Sequence, residues 1–277
     1  MPSELTDPRP IGVFDSGVGG LTVLAALRSA LPDERFVYLG DTARLPYGTK
    51  SAATVRRYAV QAARVLVQRD VKALVVACNT ASAVALDALE AAWPHLPVFG
   101  VVGPGAVAAA QTARDRVVVL ATESTISGGA YQRALLALKP ALTVEGRPCP
   151  LFVALAEEGR RDGAVVAAVV ADYLHAFAAS QGATEALTVL LGCTHFPILR
   201  GAIEDFFAQR GCAVCVVDSA ATTANAVVSA RAAGRFAPAR AKASALVLCA
   251  TDGPDRFRRV GRFFLGDAIE GVELVDL

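Results

Sequence analysis

Two thiols are the residues in this sequence best suited to chemistry. Lys72-Ala-Leu-Val-Val-Ala-Cys-Asn-Thr-Ala-Ser82 runs as an apolar strand into Cys78, passes Asn79 and Thr80, and continues into helix-forming Ala and Leu. Far downstream, Ala186-Leu-Thr-Val-Leu-Leu-Gly-Cys-Thr-His-Phe196 repeats the plan around Cys193, with a helix expected from Pro197. Each thiol falls where a parallel strand hands over to a helix, the place where open α/β sheets put their ligand sites. A helix N-terminus also favours thiolate over thiol. Either cysteine alone would read as core filling. The matched pair reads as an acid–base pair, two thiols facing each other across a cleft.

Other polar residues gather at the same kind of junction. Ile11 to Phe14 reads as a strand ending on Asp15-Ser-Gly-Val-Gly-Gly20, with a helix from Leu21. Its glycine spacing is not that of a dinucleotide fingerprint, and Asp15 could simply cap the helix. His195 stands two residues after Cys193, within reach as an imidazole donor or acceptor, whereas His95 and His175 have no such setting. Ser16, Asn79, Thr80 and Thr194 sit at helix starts, where hydroxyls, amides and backbone N–H groups converge on an anion. Pro46, Tyr47 and Gly48 form a stiff loop fit to wall a pocket, and Thr125 is a contact from a later turn. Arg44 reads as a solvated surface residue, as does the basic run Arg256-Phe-Arg-Arg-Val-Gly-Arg262. No lysine is placed like a Schiff-base former, and neither Cys-Asn-Thr nor Cys-Thr-His supplies a four-ligand metal set. We therefore expect no cofactor and no metal.

The elements that must position these groups follow from patterning. At 277 residues, 54% hydrophobic and 19% charged, the chain can build a substantial core, and a net charge of +1 gives no global field for nucleic acid or an anionic membrane. The N-terminus has no apolar signal region, and the apolar run from Gly163 is cut at Asp172, so a cytoplasmic protein is expected. The six cysteines then stay reduced, with Cys149, Cys212, Cys215 and Cys249 as core fillers. Strands alternate with helices throughout, which predicts doubly wound parallel sheets. Residues 1–9 read as a mobile lead-in, Gly103-Pro104-Gly105 as a break, 142–153 as extended, 164–180 as a long helix, and 238–243 as a linker.

Taken together, Phe14-Asp-Ser-Gly-Val-Gly-Gly-Leu-Thr-Val23, Gly40-Asp-Thr-Ala-Arg-Leu-Pro-Tyr-Gly48, Ala77-Cys-Asn-Thr-Ala-Ser82 and Leu191-Gly-Cys-Thr-His-Phe-Pro197 closely resemble the motifs of the cofactor-independent glutamate racemases. Thr122-Glu-Ser-Thr125, Cys149-Pro-Leu-Phe-Val153 and Val217-Asp-Ser219 add weaker matches, all in family order. The resemblance implies two pseudo-symmetric α/β domains of doubly wound parallel sheet, facing each other across a cleft. Residues 1–102 with 215–277 would form one and residues 103–214 the other. It assigns Cys78 to the proton of D-glutamate and Cys193 to that of L-glutamate. Asp15 would assist Cys78 and contact substrate; His195 and a carboxylate would assist Cys193. That carboxylate is matched to Glu157, with Glu158 as the neighbouring choice, in a stretch where Ala154 stands at a position the family often gives to proline. The expected partner is glutamate, with no nucleic acid and no membrane, in a homodimer that supplies D-glutamate for peptidoglycan. A racemase for aspartate or a hydantoin, and a non-catalytic glutamate receptor, are the alternatives.

Overall fold

Successive side chains of the central strands point to opposite faces while staying buried, and this alternation sorts them into four apolar layers. The structure, a computed structural model, describes residues 6–179, 186–239, 245–266 and 269–277. In β1 (Ile11–Asp15), Ile11 and Val13 face one layer and Phe14 the other. β3 (Ala73–Val76) divides the same way, Ala73 and Val75 against Leu74 and Val76. Helices cover both faces, so these strands are apolar throughout, as buried parallel strands are.

Among the described residues the strands form two sheets, both parallel. The larger adds β2 (Phe36–Gly40), β4 (Val98–Gly100), β9 (Leu246–Ala250) and β10 (Glu273–Leu274) in the order β10-β9-β2-β1-β3-β4. The smaller comprises β5 (Arg116–Ala121), β6 (Thr143–Pro148), β7 (Leu187–Gly192) and β8 (Val214–Asp218) in the order β6-β5-β7-β8. Register aligns the strand ends: Asp15 pairs with Gly40, and Phe14 with Val76, two residues before Cys78. In the other sheet Ala121 pairs with Gly192, immediately before Cys193. Each thiol thus stands at the carboxyl end of a central strand.

The helices are α1 (Leu21–Ala30), α2 (Ala52–Gln68), α3 (Asn79–Ala92), α4 (Val102–Thr112), α5 (Glu123–Ser127), α6 (Ala130–Leu138), α7 (Pro150–Glu157), α8 (Ala164–Ala179), α9 (Arg200–Ala208), α10 (Ser219–Ala232) and α11 (Pro254–Leu265). Ser51 caps α2 by accepting from Thr54 N at 3.3 Å, a contact of about 1 kcal/mol. No helix among the described residues is long and apolar enough to cross a membrane.

The structure departs from the sequence reading at several points. Gly103-Pro104-Gly105 lies inside the first turn of α4, where a proline's missing N–H costs nothing. The extended stretch ends at Pro148; Pro150 opens α7, as proline often does at the first helical position. The helix after Cys193 begins as a 3-10 turn, Phe196–Leu199, before α9. The boundary expected at residue 215 falls within β8, whose apolar run pairs with β7 in the smaller sheet. The chain returns to the larger sheet only after it, when α10 packs on α1. Residues 6–9 are tied down rather than loose, with Asp7 N donating to Pro238 O at 2.9 Å. Residues 1–5, Ser180 and positions 240–243 of the expected linker lie outside the described residues.

Candidate active site

Cys78 is the N-cap of α3, and its Sγ accepts from Ala81 N at 3.4 Å and lies 3.5 Å from Ser16 Oγ. The helix start favours thiolate, but burial outweighs it. Together with the charge of Asp15, burial pushes the thiol up to about 12. Asp15 is fully buried, and burial holds its carboxyl above the ordinary range against the pull of His195. It does not cap α1, whose N-cap is Gly20. Instead Asp15 Oδ2 accepts from Gly17 N at 2.8 Å, leaving Oδ1 without a partner among the described residues. Gly20 is required here: a Cβ on it would come within 2.5 Å of the Asp15 Cβ. Tyr38 stiffens the same turn by donating to Gly17 O at 2.9 Å.

The Cys193 side is built differently. Its Sγ lies 3.8 Å from His195 Nδ1, and His195 Nε2 lies 3.3 Å from Glu157 Oε1. Burial works to deprotonate His195, yet Cys193 and Glu157 hold its imidazole up to about 10. Burial likewise opposes the charge of Glu157, but His195 and Arg256 more than offset it and keep the carboxyl low. Arg256 reaches Glu157 Oε2 at 2.7 Å. Glu158 is exposed and takes no part in this chain of contacts.

Hydroxyls and amides join the two sheet units around the thiols. Thr80 Oγ1 lies 3.1 Å from Thr122 Oγ1 and 3.2 Å from Thr125 Oγ1. Asn79 donates to Tyr131 Oη at 2.6 Å and to Ser219 Oγ at 3.5 Å, while its Oδ1 is buried without a partner among the described residues. Thr22 Oγ1 donates to Thr194 O at 3.1 Å. Gly48 lies so close to Thr122 that an added Cβ would meet its side chain. Leu45 and Pro46 line an opening of about 330 Å³ with Thr122, Val153, Ala154 and Glu157. Tyr47 turns its hydroxyl away from that opening onto Asp41. Arg44 is no solvated residue: it donates to Asp41 Oδ2 at 2.7 Å, to Gln61, and stacks on Tyr58.

The structure therefore gathers Asp15, Ser16 and Cys78 on one side and Glu157, Cys193 and His195 on the other. Thr80 and Thr125 meet between the units. Sequence reasoning missed Thr122, Tyr131, Ser219 and Arg256. Thr122 and Ser219 each directly follow a strand, a usable signal; Tyr131 and Arg256 lie within helices and offered none. Among the described residues no group of three or more His, Cys, Asp or Glu side chains is arranged to hold a metal ion.

The family model described as Asp/Glu/Hydantoin racemase matches residues 20–227. A glutamate racemase of Geobacter metallireducens is 46% identical, with 97% of each chain covered. The solved glutamate racemase of Francisella tularensis in complex with D-glutamate is 36% identical at TM-score 0.87, covering 97% of this chain and 98% of the other. That of Thermus thermophilus, in complex with beta-chloro-D-alanine, is 42% identical at TM-score 0.82, with 99% of each covered.

Proposed function

We propose, from the premise that this chain belongs to the Asp/Glu/Hydantoin racemase family, that it interconverts L- and D-glutamate by moving the α-proton between two thiols. The observation that carries this reading is the pair itself: two cysteines ending strands of separate sheets, each with its own acidic helper. The two are close enough that the charge of Cys193 helps to raise the Cys78 thiol. In the direction from L, Cys193 as thiolate takes the α-proton while His195 and Glu157 stabilise the changing charge at sulfur. The electron pair of the broken C–H bond stays on carbon, delocalised into the α-carboxylate. Cys78, which its surroundings keep protonated, gives its proton to the opposite face. Asp15 assists that transfer, and solvent protons reset the two thiols. The reverse reaction runs through the same groups.

Desolvation does the work an electron-withdrawing cofactor would otherwise do, provided donors meet the carboxylates where charge develops. Ser16, Asn79, Thr80, Thr125 and Thr194, with backbone at Asp15 and from Pro46 to Gly48, are assigned that role; the buried, unpartnered Oδ1 atoms of Asp15 and Asn79 suit the substrate ammonium. No cofactor is needed. The reading includes D-glutamate supply for peptidoglycan in the cytoplasm, by a homodimer whose two sheet units close on substrate. Its test is incubation of the purified protein with L-glutamate in deuterated water, without additives. The α-position should exchange and D-glutamate accumulate to the equimolar point, with aspartate turning over far more slowly. Binding of glutamate with no α-exchange would make the protein a receptor.

A further inference from the structure

Glu157 occupies a poor place for a charge. It is the last residue of α7, where unsatisfied carbonyls make the helix end negative. Glu158 follows it directly. The Glu157 side chain is largely buried, so water compensates little. Two groups answer these effects, the His195 imidazole and a guanidinium from another helix. Arg256, on α11, donates to Oε2 at 2.7 Å and leaves Oε1 to face His195 Nε2 at 3.3 Å.

The two residues come from opposite units, since α7 follows a strand of the smaller sheet and α11 follows β9 of the larger. Other contacts fix α11 over the same spot. Phe264 sets its ring edge-on to His195 at 5.5 Å. Phe263 lies where a side chain on Gly159 (φ +67°) would have to go, and its carbonyl accepts from Arg161 at 3.3 Å. Arg256 and Glu157 border a small cavity of about 80 Å³ together with Thr42 and Asp252.

We propose that Arg256 is a positioning residue for the Cys193 face: it aims the Glu157 carboxylate at His195, and does so only while the two units are closed on each other. The inference rests on the two-thiol reading above, and Arg256 touches no reacting atom. Because the guanidinium is half-exposed, its loss should be modest, about fivefold in kcat/KM for R256Q. The equilibrium constant is fixed, so both directions fall together. The asymmetry belongs in the substrate deuterium isotope effects, which should rise for L-glutamate and stay unchanged for D-glutamate. R256K should recover part of the loss, since it restores charge without the planar fork. R258Q, on the same helix but paired with Asp255, should behave as wild type.

A readout independent of turnover separates failure of this inference from failure of the racemase reading. The chain has three histidines, so the imidazole N–H protons are few and H195N assigns the one in question by its loss. In the wild type the His195 Nε2 proton, bonded to Glu157 and shielded by Phe264, should exchange slowly with water. In folded R256Q it should exchange too fast to observe, and in R256K it should return in part. Persistence of that proton in R256Q overturns the proposal whatever the kinetics show. So do isotope effects that change equally for both enantiomers. If the wild type does not racemise glutamate, the racemase reading falls and the proton alone decides the placement of Arg256.

Discussion

Gly19→Ala should disable the Cys193 side without harming the fold. Gly19 lies in the turn before α1, outside the positive-φ region, so alanine meets no backbone penalty there. Its added Cβ would instead stand 2.6 Å from Thr194 Oγ1 and press on His195 at Nδ1, the atom that faces Cys193. Ordinary contact begins near 3.5 Å, so the ring or the turn must give by about 1 Å. Displacement of a catalytic group by that amount costs on the order of 100-fold. Thermal unfolding should shift little, because losing glycine's freedom in the unfolded chain returns about 0.4–1 kcal/mol against the local strain. Racemisation followed by circular dichroism should therefore show kcat/KM down about 100-fold in both directions, with KM nearly unchanged. Activity within threefold of wild type, in a protein of normal stability, would refute the claim that Gly19 is small in order to seat His195.

Cys193→Ser should abolish racemisation yet leave elimination from a D-configured β-chloro substrate, which needs only the first proton removal. Cys78→Ser should give the mirror result with the L-configured analogue, and appreciable racemisation by either folded variant would sink the two-thiol mechanism. Lys72→Met should cost about 3–5 kcal/mol in urea unfolding. It strips a fully buried Glu34 of its 2.6 Å partner and leaves the carbonyls of Asp7 and Ala237 without their 2.9 Å donor. Adding Glu34→Leu to Lys72→Met should recover part of that loss; a cost under about 1 kcal/mol for the single variant would show that the pair is not a staple.

The sequence made strands and thiols plain because both are local signals. A short run such as Ala73–Val76, apolar at every position and followed by a helix pattern, reads as a strand covered on both faces, and the polar residue after it falls at the carboxyl end of the sheet. Pro104 and Pro150 misled for an equally physical reason: proline breaks a helix from within but is harmless in its first turn, and only the three-dimensional start tells the two apart. Capping was the alternative role for Asp15, because its spacing from Leu21 allows one; the turn folds back and spends one carboxylate oxygen on Gly17. Arg256 was out of reach altogether. Its neighbours in sequence are exposed arginines, and its partner lies 99 positions away on the other unit. Groups that join two units carry no local pattern, which is also why Tyr131 and its bond to Asn79 went unseen.

The order in which this chain can fold as it leaves a ribosome follows from its strand order. The smaller sheet is one uninterrupted stretch, from β5 to β8, and can assemble as soon as residue 218 is free. The larger cannot. β2 is covered on one side by β1, but its other neighbour is β9, at residues 246–250. Until those residues emerge, Phe36-Val-Tyr-Leu-Gly40 remains an open, wholly apolar edge, the kind that recruits strands from other chains. Synthesis at about 5–20 residues per second keeps that edge uncovered for on the order of ten seconds or more. The half that carries Cys193 can thus be finished while the half that carries Cys78 is still waiting for its last strands, and that interval is when a nascent chain of this design most needs a chaperone.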